Sequence, residues 1–463
     1  MSSWPPPAAP DPDRPGSRGI SRRALVLGSL GAATASGIAV IYASRSSGGA
    51  TSAPPSSIVT TPATTPATTT TPPPPPTTTS PPTTPTTTPA TTTPTATAPS
   101  TDDRVLVVLQ LGGGNDALNT LVPLTGAYHD ARPVIGLDDS TLVALPGTTA
   151  YGLHPSLAPL GPILAAGNLG IAAGIGFEHP NRSHFASLDM WWAGSPDGTT
   201  GPGWLGRWLD ATAGPDDALL RAVGLGGNVP ALRADVSTSV AIAEIEQFSL
   251  TSAGESDALA AAWASLTPAH AAAGAATQQI ADLAALLPPT ADTDGDVTRR
   301  LRIAAALIAT EPDARVIHVA VSGFDTHASQ LDTHAALLAD VARGIAEFQT
   351  AITASGNATR TMLVTTSEFG RRIEDNGSAG TDHGKAGVQL VVSAGVRALD
   401  SGVVFGTLDP ADPIDGDLRP VIDPRSLYAT ALDWLGGGLA AELTDQVLGG
   451  GFERLPFVIP TRG

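Results

Sequence analysis

The sequence predicts an α/β fold in which helices cover both faces of a mostly parallel sheet. Short, continuous apolar runs rich in β-branched residues recur along the chain, and such runs are typical of strands that are buried on both faces. They lie at 104–111, 169–175, 315–321, 361–366 and 387–393. Segments with helical character separate several of these runs, which indicates a three-layer α/β/α sandwich.

The helical segments are recognised by the spacing of their apolar residues. Pro155–Ala166 and His334–Thr353 carry apolar residues at roughly the period of an α-helix. The region from about Asp257 to Leu287 is rich in alanine and also reads as helical. We interpret this third region as an insertion that packs on the sheet.

The first hundred of the 463 residues cannot build a hydrophobic core. Residues 51–100 are almost entirely Thr, Pro, Ala and Ser, which leaves too little apolar surface to offset the entropy of ordering them. Such a stretch is expected to form a semi-stiff stalk. The predicted organisation is an N-terminal segment at 1–43, a disordered Thr/Pro-rich linker at 44–103 and a single large domain at 104–463.

The N-terminal segment has the pattern of an export signal. Arg22 and Arg23 precede an apolar run from Ala24 to about Ala43, as in twin-arginine signals, whose route carries folded proteins. The alternative is an ordinary membrane anchor with a basic flank. We expect a protein located in the extracellular space, cell wall or periplasm that contacts the membrane only through this segment.

Charge and cysteine content exclude several classes of function. The formal net charge is −18, from 43 acidic and 25 basic residues, and this excess of acid argues against a nucleic-acid partner. No cysteine is present, which rules out disulfides, thiolate metal sites and cysteine nucleophiles. A metal ion would therefore have nitrogen and oxygen ligands, compatible with zinc, manganese, iron or calcium. No feature identifies a protein partner.

Acidic residues and histidines are concentrated at the ends of the predicted strands. In open α/β sheets, functional groups collect beyond the carboxyl ends of the strands. Asp325 and His327 follow the third strand, Glu368 follows the fourth, and Asp382 and His383 precede the fifth. Residues two apart in extended backbone point to the same side, so Asp325 and His327 could reach one cation. These five residues are candidate metal ligands.

Each of these candidates also has a structural alternative. Asp325 could cap the helix that follows it, and the sequence around Asp382 could be a simple glycine-containing turn. Glu368 follows a buried strand directly, where an unpaired carboxylate is costly. It could therefore pair with Arg371 or Arg372 and bind no metal.

A glycine-rich turn follows the first strand. Gly112, Gly113 and Gly114 precede Asn115 and Asp116, and the backbone N–H groups of such a turn could cradle a phosphate. The alternative is a turn in which Asn115 or Asp116 caps the next helix. Neither the P-loop pattern nor the dinucleotide-binding pattern is present.

Ser183 is a candidate nucleophile. It precedes a helical run at Ala186–Trp192, and a hydroxyl at a helix N-terminus lies in a positive field that would support attack on phosphorus or sulfur. The alternative is a serine that only caps the helix. The Gly-x-Ser-x-Gly pattern is missing, which argues against an acyl-transfer serine hydrolase.

Six short sequence pieces occur in the order typical of one family of exported bacterial proteins. They are Gly-Gly-Asn-Asp-Ala-Leu-Asn-Thr (113–120), Leu-His-Pro (153–155), Asn-Arg-Ser-His-Phe (181–185), Phe-Asp-Thr-His (324–327), Ser-Glu-Phe-Gly-Arg-Arg (367–372) and Gly-Thr-Asp-His-Gly (380–384). Over most of residues 104–440 the chain thus resembles the domain of unknown function 1501 family. That family has no settled activity.

The chain is also distantly similar to the alkaline phosphatase and sulfatase superfamily. This resemblance implies an alkaline-phosphatase-like fold with Ser183 as the nucleophile and Arg182 or Arg371 as the partner of the developing oxyanion. It also implies a set of metal ligands, namely Asp116, Asp325, His327, Glu368 and His383. Asp382, the neighbour of His383, is included as a further candidate ligand. Glu368-Phe369 stands where the superfamily has an Asp-His pair.

Two functions are expected from these observations. The first is a metal-dependent hydrolase of phosphate or sulfate esters that carries a divalent ion and acts on a small-molecule or polysaccharide ester outside the cytoplasm. The second is a non-catalytic cell-surface or carbohydrate-binding module that keeps the fold with a decayed metal site. The ligand-type residues at the strand ends favour the first, and the phenylalanine in place of a histidine favours the second.

Overall fold

A computed structural model describes residues 39–42 and most of 103–457. The segments left out within that span are 199–200, 215–216, 228, nearly all of 244–293, 395–402 and 437–440. The predicted Ala-rich insertion at 257–287 therefore lies outside the described residues except for positions 279 and 282. The predicted signal and linker also lie outside them, except for Ala39–Tyr42 and residue 103.

The strands of the described chain form two sheets. In chain order they are β1 (Ala39–Tyr42), β2 (Val105–Leu111), β3 (Leu121–Pro123), β4 (Val143–Ala144), β5 (Tyr151–Leu153), β6 (Leu169–Ile175), β7 (Ala222–Leu225), β8 (Ser239–Ile242), β9 (Val316–Val321), β10 (Thr361–Thr366), β11 (Gly387–Val392) and β12 (Val404–Gly406). The large sheet has the order β1-β8-β7-β9-β2-β10-β11-β6-β12, and a small one has the order β3-β5-β4.

The large sheet is mostly parallel, as predicted. Only β1 and β11 run antiparallel to their neighbours in this sheet as described, and its other strands share one direction. Every residue of β2 and β6 is buried, which explains why these strands read as unbroken apolar runs. All five predicted strands are present, with ends that differ by at most one residue.

Helices account for much of the remaining described chain. They are α1 (Ala117–Thr120), α2 (Gly126–Ala131), α3 (Gly161–Ala165), α4 (His184–Ala193), α5 (Trp204–Ala211), α6 (Asp296–Thr310), α7 (Gln330–Ala354), α8 (Pro424–Leu435) and α9 (Ala441–Leu448). The helix predicted at 334–353 lies within α7. The one predicted at 155–166 divides into a 3₁₀ helix, Pro155–Leu160, and α3, since Pro159 cannot donate a backbone hydrogen bond.

Two hydrophobic cores lie on opposite faces of the large sheet. Alternate residues of β2 point to opposite faces, so that Val107 belongs to one core with Leu301 of α6. Leu106 belongs to the other core, together with Trp204 and Trp208 of α5. The predicted three-layer α/β/α arrangement is thereby confirmed.

The reversed direction of β11 decides which loops meet. Since β11 runs antiparallel to β10, the beginning of β11 lies at the sheet edge where β9 and β10 end. The residues before β11, among them Asp382 and His383, therefore share this edge with the residues that follow β9 and β10.

Across the residues that the structure describes, no helix combines the length and the apolar character required to cross a membrane.

Candidate metal centre

Three histidines converge on the carboxylate of Asp325. The Nε2 atoms of His327 and His383 lie 3.0 and 3.1 Å from its Oδ1, and Nε2 of His184 lies 3.5 Å from its Oδ2. The Nε2 atoms of His327 and His383 are 2.9 Å apart. His184, Asp325 and His383 can each offer one ligand atom within 4.8 Å of the other two, a spacing that suits bonds of about 2.0–2.2 Å to one cation.

The opposite ring nitrogen of each histidine faces an oxygen that can accept a hydrogen bond. The three contacts are His184 Nδ1 to Glu368 Oε1 at 2.9 Å, His327 Nδ1 to Asp382 Oδ1 at 3.2 Å, and His383 Nδ1 to the carbonyl oxygen of Arg182 at 2.8 Å. Carboxylates and carbonyls only accept, so we infer that each Nδ1 carries the proton and donates it. Each Nε2 then keeps a free lone pair directed at the centre of the cluster.

This arrangement suits a metal ion. Nε2 of His184 is buried and has no hydrogen-bond partner among the residues that the structure describes, although buried polar atoms are nearly always paired. Facing lone pairs and a carboxylate oxygen repel one another unless a cation lies among them. A set of imidazole nitrogens and one carboxylate, each imidazole held by an acceptor on its outer side, is the usual construction of a protein metal site.

Asp325 is ionised in this environment. Burial raises the pKa of its carboxyl group, but the hydrogen bond from Arg371 and the positive charge of that arginine outweigh burial, and the pKa is lowered to about 2. Below the cluster the ring of Phe369 packs against His184 and His383, with centroid distances of 4.9 and 4.6 Å. Phe369 itself is buried and closes the inner side of the site.

The glycine-rich turn after β2 supports the cluster from behind. Gly113 has a φ of +120°, and a Cβ atom there would lie 2.4 Å from the backbone nitrogen of Asp325, so only glycine fits. Its N–H donates to Glu368 Oε1 at 2.7 Å, and the N–H of Asn115 donates to Ser367 Oγ at 2.9 Å. These N–H groups are already bonded within the protein, which does not fit the phosphate-cradle alternative.

Asp116, a predicted metal ligand, is not in the group of converging ligand atoms found among the described residues and has other partners. It is fully buried, caps α1 by accepting from the N–H of Leu118 and accepts two hydrogen bonds from Arg132, at 2.6 and 3.0 Å. Gln330 donates to it as well. Burial raises the pKa of Asp116, but Arg132 outweighs burial and lowers it to about 2. The charge of Asp116 is thus balanced by an arginine.

Arg371, predicted as an oxyanion partner, is fully buried, and its guanidinium makes hydrogen bonds within the protein. It donates to Asp325 and to four backbone carbonyls, those of Gly113, Gly114, Phe324 and Thr381. Its role is to clamp the loops together.

Arg182, the other predicted oxyanion partner, has a half-exposed side chain that pairs with the buried carboxylate of Asp417. Its backbone carbonyl holds His383. Through this carbonyl oxygen, Arg182 helps to orient the imidazole of His383.

Two other predicted ligands, Glu368 and Asp382, lie on the outer side of the histidines. Glu368 is buried and Asp382 is exposed, and both contact the outer nitrogen of an imidazole. Hydrogen bonds from Asn376 and His327 hold the pKa of Asp382 below its usual value. Both carboxylates thus contact a histidine on its outer side, and neither is in the group of converging ligand atoms found among the described residues.

Ser183 and His184 begin α4. Ser183 is the N-cap residue, is exposed, and makes no side-chain capping bond, so its hydroxyl is not engaged in the capping alternative. His184 was not predicted as a ligand, although it is one of the histidines in the strand-end loops. Its position next to Ser183 and after β6 was the available signal.

The chain is similar to several solved structures of bacterial proteins. One is the sulfatase PsFucS1 from Pseudoalteromonas sp., 12% identical, covering 76% of this chain and 71% of that one, with a TM-score of 0.36. Another is the lipoteichoic acid synthase LtaP from Listeria monocytogenes, 9% identical, with coverage of 73% and 72% and a TM-score of 0.34. A third is a protein in the alkaline phosphatase superfamily from Vibrio parahaemolyticus, 10% identical, with coverage of 72% and 67% and a TM-score of 0.33.

No curated protein matches the chain. The profile of the family described as "Protein of unknown function (DUF1501)" matches residues 172–453, which is more than half of the 463 residues. The match includes every member of the histidine cluster. The chain belongs to the DUF1501 family.

Proposed function

We propose that this protein is an exported, metal-dependent hydrolase of phosphate or sulfate esters. The metal would be held by His184, Asp325 and His383, with His327 close enough to join them. The observation that carries the proposal is the common orientation of the three imidazoles. Each presents Nε2 to the centre while an acceptor holds its Nδ1.

The residues around the cluster have separate parts in such a reaction. A bound divalent ion would polarise an ester oxygen and stabilise negative charge. Ser183 stands at the positive end of α4 with no capping bond, which supports its assignment as the nucleophile. Phe369 keeps water from the inner side of His184 and His383.

A second function is favoured by one specific observation. Asp116 and Glu368, both predicted ligands, contact Arg132 and His184, and the described residues bring together one group of potential metal ligands. A single site of this kind would also suit a non-catalytic module that binds carbohydrate or another ligand at the cell surface.

Export is part of the proposal and rests on the sequence. Arg22 and Arg23 before the apolar run would direct the folded protein through the twin-arginine route. Replacing both with lysine should leave the precursor in the cytoplasm, as measured by fractionation and immunoblotting. Unchanged secretion of the double variant would contradict the twin-arginine assignment.

Metal content tests the central claim. We expect the purified full chain to contain a divalent metal by elemental analysis, and a chelator to lower its melting temperature by about 2 °C or more, because an ion that binds only the folded state stabilises it. The double variant His184→Ala, His383→Ala should lose both properties. His179→Ala is the matched control, since His179 is an exposed histidine of the same loop outside the cluster.

Catalysis is tested with aryl phosphate and aryl sulfate esters. Metal-loaded protein should hydrolyse one of them, and Ser183→Ala should remove this activity while the metal stays bound. Bound metal without hydrolysis of either ester or of polysaccharide esters would favour the binding module. A metal-free chain that gains no stability from added zinc, manganese, iron or calcium would refute the metal centre.

A further inference from the structure

A buried amide joins two of the loops that carry proposed ligands, the loop with Asp325 and the loop with His383. Gln330 is the first residue of α7 and is fully buried. Its Oε1 accepts hydrogen bonds from Thr326 Oγ1 at 3.1 Å and from Thr381 Oγ1 at 2.7 Å. Thr326 lies between Asp325 and His327, and Thr381 directly precedes Asp382 and His383.

The orientation of this amide is determined by its other partner. Nε2 of Gln330 donates to Asp116, whose carboxylate only accepts, so the amide oxygen must face the two threonines. Asp116 is in turn held by Arg132, which also donates to Asn119 Oδ1 and to the carbonyls of Arg372 and Ile373. The ion pair thus anchors the amide from the side away from the cluster.

Backbone contacts reinforce the same junction. The N–H of Thr381 donates to the carbonyl of Thr326 at 3.2 Å, and the N–H of Gln330 donates to the carbonyl of Ala379 at 2.8 Å. Ser329 and Ala379 both adopt left-handed backbone conformations, with φ of 46° and 53°, which cost energy in residues other than glycine. The two loops are therefore held in a specific and strained relative position.

We propose that Gln330 is a positioning residue that sets the distance between Asp325 and His383, and thereby the affinity of the metal centre. The proposal rests on the proposed function, because it assumes that these two residues share a cation. Metal ligands must be held within about 0.5 Å of their working positions. The hydroxyls of Thr326 and Thr381 each sit one or two residues from a ligand, so loss of their common acceptor would let the two loops separate.

The test compares Gln330→Leu with Gln389→Leu in the full chain. Gln389 is equally buried and its Oε1 accepts from a threonine hydroxyl, that of Thr365 at 2.9 Å, within the sheet. Zinc dissociation constants come from chelator competition, and cobalt absorption spectra report the geometry around the ion. We expect Gln330→Leu to weaken zinc binding at least about tenfold and to alter the cobalt spectrum, while Gln389→Leu changes neither.

A gentler pair of variants covers the case in which Gln330→Leu fails to fold. Thr381→Val removes the hydroxyl and keeps the shape, and should weaken zinc binding, while Thr381→Ser keeps the hydroxyl and should restore it. Zinc binding by the wild type with unchanged affinity in Thr381→Val, or in a folded Gln330→Leu, would overturn the positioning role alone. A wild type that binds no zinc or cobalt would overturn the proposed metal centre and this role with it.

Discussion

Asp116 and Asp325 occupy similar places in the sheet and have different chemical environments. They follow β2 and β9, which are neighbouring parallel strands. Asp116 is fully buried and its charge is balanced by Arg132, whereas the side chain of Asp325 is 46% exposed and faces three imidazoles. A buried guanidinium reaches both carboxylates, Arg132 for Asp116 and Arg371 for Asp325. What makes Asp325 the candidate ligand is therefore its exposure and the histidines that face it.

The largest expected effect comes from breaking the buried ion pair. Arg132→Met leaves the charge of Asp116 unbalanced, and loss of one partner of a buried pair costs about 3–5 kcal/mol of unfolding free energy. Urea denaturation of the metal-free protein measures this. Asp382→Asn, at the exposed rim, should change the same free energy by less than about 1 kcal/mol. Equal effects of the two changes would contradict the distinction between an anchor region and a ligand region.

Glu368 tests where the boundary between ligands and supports lies. Glu368→Gln weakens the hydrogen bond that orients His184 but removes no direct ligand, so we expect zinc to bind about 10–100-fold more weakly. Competition with a chelator measures the affinity. Glu374→Gln, an exposed change in the following loop, should have no effect. Complete loss of zinc from Glu368→Gln would instead support the original prediction that Glu368 is a direct ligand.

His318, a histidine buried within the sheet, should make the free energy of unfolding depend on pH, which an exposed histidine should not do. Burial lowers the pKa of His318 from 6.5 to about 3, and its Nδ1 has no hydrogen-bond partner in the described part of the chain. Below pH 6.5 the unfolded chain binds a proton at His318, whereas the folded protein binds one there only as the pH approaches 3. The stability that His318 contributes is therefore present above pH 6.5 and is lost as the pH falls toward 3.

Between pH 7 and pH 5 this histidine should account for a loss of about 2 kcal/mol. Denaturation of the metal-free protein at both pH values measures it. His318→Leu should reduce the loss by that amount, while exposed His179→Leu should not. An unchanged pH dependence in His318→Leu would show that His318 is not kept neutral by burial.

The smallest expected effect concerns backbone strain near the cluster. Ala379 has a φ of 53°, a conformation that costs about 1–2 kcal/mol in an L-residue other than glycine. Ala379→Gly should raise the unfolding free energy by up to about 1 kcal/mol after the entropy cost of glycine. Ala346→Gly, within α7, should lower it by about 1 kcal/mol. A loss of stability in Ala379→Gly would argue against strain in this loop.

The main strands could be predicted because burial on both faces leaves a direct mark on composition. β2, β6, β9, β10 and β11 are continuous apolar runs. β7 and β8 were not predicted, since each has only four residues and Gly224 interrupts the apolar character of β7. Their place in the sheet depends on pairing with neighbours and not on their own pattern.

The sequence alone determined the family resemblance, the layered α/β architecture and the edge of the sheet at which Asp325, His327 and His383 would lie. Only the tertiary structure decided what each polar side chain contacts there. Asp116 pairs with Arg132, at the C-terminal end of α2. Arg371 pairs with Asp325 and with carbonyl groups from three loops. The physical reason is that the role of a charged side chain depends on which charged and polar groups surround it in the folded protein. Spacing along the chain does not determine that encounter.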